Sequence, residues 1–161
     1  MNALPSPDRF HLSAALGWIE LGNAAEANQE LDRIAASLQS HPHVLALRWQ
    51  IHAKSGDWNR AFEIAGALVQ LEPDDVSRRI CLAYATRRMR GGGLPRAWDI
   101  LRPAADRFPA EPTVAFNLAC YACQMGRLEE AREWLAKAIA LGGEPIAKMA
   151  QEDEDLKPLR L

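Results

Sequence analysis

The sequence predicts an all-α fold, an array of helical hairpins stacked as a solenoid. Three observations carry that expectation. Stretch 112–126, PTVAFNLACYACQMG, repeats the plan of stretch 42–56, PHVLALRWQIHAKSG: Pro first, Val two residues on, Gly fourteen residues after the Pro. Gly22, Gly56 and Gly126 each divide two apolar-periodic segments, in LGNAAEA, SGDWNRA and MGRLEEA. From Gly22 to Gly56 is 34 residues and from Gly56 to Gly126 is 70, so a further turn belongs near Arg90-Gly91-Gly92-Gly93. The prolines agree, since Pro73 to Pro109 is 36 residues, the same period with a two-residue insertion. Repetition at this length with a helix–turn–helix unit is the signature of a helical solenoid.

Each unit has a physical rationale. Glycine between the helices supplies the left-handed conformation that ends the first of them. Five residues later comes an alanine, at Ala27, Ala61, Ala97 and Ala131, small enough to let the second helix approach its neighbour closely. Proline near the end of the unit stops the second helix. These signals place four units near 8–41, 42–75, 76–111 and 112–143, read as one domain over 1–161. Pro103 falls inside a predicted helix, where it should kink or loosen a turn. After the fourth unit, EPIAKMAQEDEDLKPLRL fits a capping helix at about 145–152 and a tail to 161, with Leu156 and Leu159 tucking back to cover the last apolar face.

Composition bounds the partners. Hydrophobic residues make up 48% and charged residues 25%, ordinary for a soluble domain. Lys and Arg number 19 against 21 Asp and Glu, a formal charge of -2 that argues against bulk attraction to nucleic acid or anionic membrane. The start, MNALPSPDRF, does not read as a secretory signal, and no run reaches the ~18 apolar residues of a membrane helix. Three cysteines without an export signal suit a reducing cytoplasm, which is the expected location.

With these units in register, the chain resembles tetratricopeptide-repeat proteins, and bacterial members in its closing stretch. The fourth unit carries the resemblance best: Asn117, Leu118, Ala119 and Ala122 precede Gly126, then Leu128, Ala131, Leu135 and Ala138 follow. The second departs from the pattern at Trp49, where the family usually has Gly or Ala. The resemblance implies a right-handed superhelix of about four hairpins whose first helices line a concave groove. It also implies which positions face that groove. In the first unit these include Arg9, with the apolar Leu12 and Leu16, a face suited to the N-terminal residues, to a partner or to a homodimer contact. Gln50 and Lys54 face it from the second unit, Tyr84, Arg87 and Arg88 from the third, and Phe116, Asn117 and Gln124 from the fourth. Aromatic side chains beside arginine favour interface hot spots, although aromatics at helical spacing also serve as core. The expected function is therefore a non-enzymatic protein-interaction scaffold binding a peptide or partner protein, of acidic character. The carboxylate clamp known in the family is not supported, since Asn117 alone stands at a matching position.

Other chemistry is weakly signalled. Stretch 78–90, RRICLAYATRRMR, holds five arginines and no acid, which could contact phosphates, but a solvated helix face explains it as well. Cys120 and Cys123 share one side of a helix, and Cys81 faces the same groove, so a three-thiol metal or redox cluster is conceivable. Free Cys equally behaves as a small buried apolar residue. His41-Pro42-His43 lies at a predicted turn without a completing ligand. GGGLP follows a helix rather than a strand and lacks Lys, so it is no phosphate loop, and no cofactor is expected. A secretion-type chaperone holding an unfolded partner, or a Cys-centred metal or redox protein, are the alternative functions.

Overall fold

The protein is described by a computed structural model covering residues 4–160. Helices dominate it, and no strand occurs among the described residues. In order they are α1 (Asp8–Glu20), α2 (Ala24–Asp32), α3 (Pro42–Ser55), α4 (Trp58–Leu71), α5 (Val76–Arg88), α6 (Leu94–Arg107), α7 (Pro112–Gln124) and α8 (Leu128–Glu152). Short 3-10 segments lie at Ala36–Leu38 and Glu154–Leu159.

The turns follow from the glycine positions. Gly22, Gly56 and Gly126 adopt φ of 76°, 77° and 76°, the left-handed conformation that lets the chain reverse between helices. At two of these turns the next residue starts the following helix. Asn23 accepts the backbone N–H of Glu26 at 3.2 Å, and Asp57 accepts that of Arg60 at 3.3 Å. The alanine five residues beyond each turn is fully buried at Ala27, Ala61, Ala97 and Ala131. No larger side chain would leave room there for the neighbouring helix.

The chain divides into two compact units, one up to Arg78 and one from Arg79 onward. In the first, Leu4, Ala15, Ile19, Ala27, Leu31, Ile34, Val44, Leu47 and Ile51 form the core of α1, α2 and α3. Buried Asp8 accepts the Ala35 N–H at 2.7 Å, fastening the start of α1 to the chain after α2. Arg78 bridges Glu72 at 2.7 Å and Asp75 at 3.2 Å, stapling the turn after α4. Trp49, which departs from the repeat pattern, keeps its indole N–H buried without an acceptor. That orphaned donor costs about 1–3 kcal/mol.

In the second unit α7 is the central helix. Its run Val114–Cys123 is buried at every residue but Asn117, as expected of a helix apolar all round. Helix α6 continues through Pro103 to Arg107, with Pro103 on its exposed side. Helix α8 breaks at Gly143, whose φ of 65° and ψ of −148° are non-helical, and a shorter helical piece resumes over residues 144–152. Asp153 then accepts the Asp155 N–H at 2.8 Å and starts the final 3-10 segment. Residues 153–160 are referred to below as the strap.

Candidate functional site

In the first unit, the exposed sides of α1 and α3 leave an open cleft. Leu12, Ser13 and Leu16 from α1 and His43, Ala46 and Leu47 from α3 line about 240 Å³. Leu16 is 43% exposed, so apolar surface meets solvent here. Leu4 joins the core of the unit together with Leu47 of the cleft, and residues 1–3 lie outside the described residues. Arg9 is exposed, its guanidinium 5.8 Å from the Phe10 ring. Gln50 is half-buried, and Lys54 is engaged: its ammonium donates to the Ile19 carbonyl at 2.8 Å, at the last turn of α1. A second hollow of about 210 Å³ lies beside it, among Ile19, Gly22, Ala24, Ile51, Lys54 and Ser55.

In the second unit, the corresponding face of α5 and α7 is occupied by the strap. Arg87 donates to both carboxylate oxygens of Asp155, at 2.8 Å for the Nη2–Oδ1 contact. The Gln124 amide donates to the backbone carbonyl of Asp155 at 2.8 Å. Leu156 is 1% exposed, in the angle between α7 and α8. The backbone of Leu159 hydrogen-bonds the sulfur of Cys123. Two predicted groove residues, Arg87 and Gln124, thus hold a segment of the same chain.

The other predicted groove residues are placed differently. Tyr84 is half-buried beneath Arg88, whose guanidinium lies 3.6 Å from the ring centroid and donates to the Tyr84 carbonyl at 3.2 Å. Phe116, at 5% exposed, is interior packing rather than groove lining. Asn117 donates to the Thr113 carbonyl at 2.8 Å, one turn back along its own helix.

The three thiols do not form one ligand set among the described residues. Instead the Cys120 sulfur lies with carboxylate oxygens of Asp153 and Asp155, all within 4.8 Å of one another. Those acids already have roles, Asp155 against Arg87 and Asp153 as the cap of the strap. Burial pushes the Cys120 thiol far above its ordinary value of 9.0, with Asp153 and Asp155 adding to the shift and Arg87 opposing it. Cys123 is raised for the same first reason, as is the Tyr121 phenol, whose buried hydroxyl has no hydrogen-bond partner. Such thiols are protonated and poor nucleophiles at neutral pH.

A pH dependence follows. A folded-state value above the unfolded one means the native chain retains protons that the unfolded chain loses. Stability is therefore complete below pH 9 and declines as pH rises above it, by about 1.4 kcal/mol per pH unit for Cys120 alone. Urea midpoints measured from pH 7 to 10.5 should fall above pH 9 and fall less steeply in Cys120→Ala. A flat profile in the unmodified chain would contradict the burial described.

Leu156 is buried, as its expected tuck over the last apolar face requires, and Asp155 is the site member that inspection of the groove positions misses. Its signal in the sequence is charge complementarity between the acidic run Glu152-Asp153-Glu154-Asp155 and the arginine-rich α5.

No protein-family model matches the chain, and no curated protein is significantly similar to it. Solved structures are. MamA from Desulfovibrio magneticus RS-1, residues 41 to the end, superposes with a TM-score of 0.71 at 18% identity, over 98% of this chain and 92% of that one. MamA MSR-1 gives 0.67 at 20% identity, over 88% and 80% of the two chains. MamA AMB-1 gives 0.64 at 17%, over 95% and 87%. Identities this low show the fold: the chain has the all-α helical-hairpin fold of tetratricopeptide-repeat proteins, among which MamA is counted.

Proposed function

We propose that the chain is a non-enzymatic protein-interaction scaffold whose first-helix faces receive peptide segments of a partner protein. The observation that carries this reading is the strap, an acidic segment seated on α5 and α7 by a paired carboxylate, a side-chain amide and a buried leucine. A partner peptide would need the same three kinds of contact. The fold shared with MamA supports an interaction role over catalysis. Because the helices are preformed, a bound segment orders itself without ordering the scaffold, which limits the entropic cost of binding. No helix among the described residues is long and apolar enough to cross a membrane.

The open receiving surface in this reading is the cleft between α1 and α3, with Leu16 as its exposed apolar anchor. A photo-crosslinking residue placed at Leu16 or at Ala46 in the native host should give a discrete adduct with one partner protein. The same residue at exposed Gln70 on α4 should give none. Absence of any adduct at Leu16 and Ala46, in a chain that melts as the unmodified one does, would remove the scaffold reading.

A further inference from the structure

The strap does more than cover an apolar surface. A segment that merely closed the last helix would need Leu156 and little else. Here Arg87 spends its whole guanidinium fork on one carboxylate, and Gln124 reads a backbone carbonyl of the same residue. Paired guanidinium–carboxylate contacts with a side-chain amide on the backbone are the means by which helical grooves hold peptides. Specific contacts concentrate on few positions. Asp155 supplies a carboxylate and a carbonyl, Leu156 a buried side chain, and Leu159 its backbone and a half-buried side chain. Glu154, Lys157 and Pro158 face water. What the face reads is an aspartate followed directly by a large aliphatic residue.

The strap closes on itself through 3-10 turns, the Leu156 N–H donating to the Asp153 carbonyl at 3.2 Å and the Arg160 N–H to the Lys157 carbonyl at 3.0 Å. The face holds it through the Arg87 fork, the Gln124 amide and the burial of Leu156. Ordering eight residues offsets much of what one leucine and one ion pair contribute. Tethering, however, presents it to the face at an effective concentration of about millimolar. Free peptides of ordinary weak affinity lose to such a competitor.

We propose that the α5–α7 face is a recognition site for an Asp-Leu segment of a partner protein, and that the strap is its built-in competitor, displaced when that segment binds. This rests on the scaffold reading above and deepens it for the second unit. Charge complementarity commits the occupant: the face offers Arg87 and accepts a carboxylate, so an apolar or basic segment is excluded.

The test uses the full chain and a fluorescein-labelled peptide EDEDLKPLRL, the strap sequence supplied in trans. A variant carrying Asp155→Ala and Leu156→Ser releases the strap without touching the face. Anisotropy titration should show the released variant binding the peptide at least tenfold more tightly than the unmodified chain. The peptide EDESGKPLRD, of equal net charge, replaces the Asp-Leu pair by Ser-Gly and the final leucine by Asp, and it should lose that advantage. Equal affinity for both chains, or for both peptides, would overturn the proposal. Should the released variant fail to fold, hydrogen exchange in the unmodified chain decides. Saturating peptide should speed exchange at residues 153–160 while α7 stays protected, and an unchanged strap overturns the proposal. Photo-adducts at Leu16 alongside a negative result here would leave the scaffold reading standing and remove only this one, so the two fail separately.

Discussion

Replacing Arg87 by Glu should destabilise the second unit by about 2–4 kcal/mol and free the strap. The side chains of Arg87 and Asp155 are only 17% and 26% exposed, so their paired contact is poorly screened. The substitution removes a two-pronged donor and sets a third carboxylate against Asp155 and Asp153, with the protonated Cys120 beside them. A double-mutant cycle isolates the effect. Arg87→Glu and Asp155→Arg should each lower the urea midpoint, and the pair together should recover part of the loss, since opposite charges face each other again. Cys120 and Cys123, covered by the strap in the unmodified chain, should become open to iodoacetamide in the single variant. An Arg87→Glu chain that melts normally and keeps both thiols protected would show that the pair does not hold the strap in solution. The contact with Asp155 makes this arginine matter to stability as well as to the proposed binding.

Replacing Gly92 by Ala should cost about 3 kcal/mol, more than the same change at neighbouring Gly91. A β-carbon there would lie 1.8 Å from the Thr86 carbonyl oxygen and 2.9 Å from the Met89 side chain. The carbonyl cannot withdraw, because the Gly93 N–H donates to it at 3.0 Å and α5 ends through that bond. Gly91 makes the control. Its φ of 74° strains any other residue, but a β-carbon there meets nothing within 4 Å. Gly91→Ala should therefore cost only about 1 kcal/mol. Thermal or urea unfolding of the two variants gives the comparison, and equal losses would mean that the loop has room the structure does not show.

The helices and their turns were readable because their causes are local. A glycine at a fixed interval is a demand for left-handed backbone, and Gly22, Gly56 and Gly126 meet it with nearly one φ. A recurring alanine is a demand for close helix approach, and all four are buried to the last atom. Neither inference needs to know what lies across the molecule. The side chains of the site were readable only in part. Repeat position put Arg87 and Gln124 on a first-helix face, where both meet the strap, and Leu12 and Leu16 on an apolar one that lines the cleft. Phe116 and Asn117 were assigned to the same groove, yet one is packed inside and the other bonded to its own helix.

Periodic spacing, then, was enough to dictate an all-α chain of hairpins and the face that each first helix turns away from its own hairpin. Which of those sides is open was settled by packing between residues far apart in the chain. Arg87 and Asp155 are separated by 68 positions, and no local pattern in either segment requires the other. Their pairing depends on where the break at Gly143 and the turn at Asp153 deliver the acidic strap, a matter of three-dimensional path and mutual charge. That path closes the α5–α7 face, while the cleft between α1 and α3 stays open to solvent.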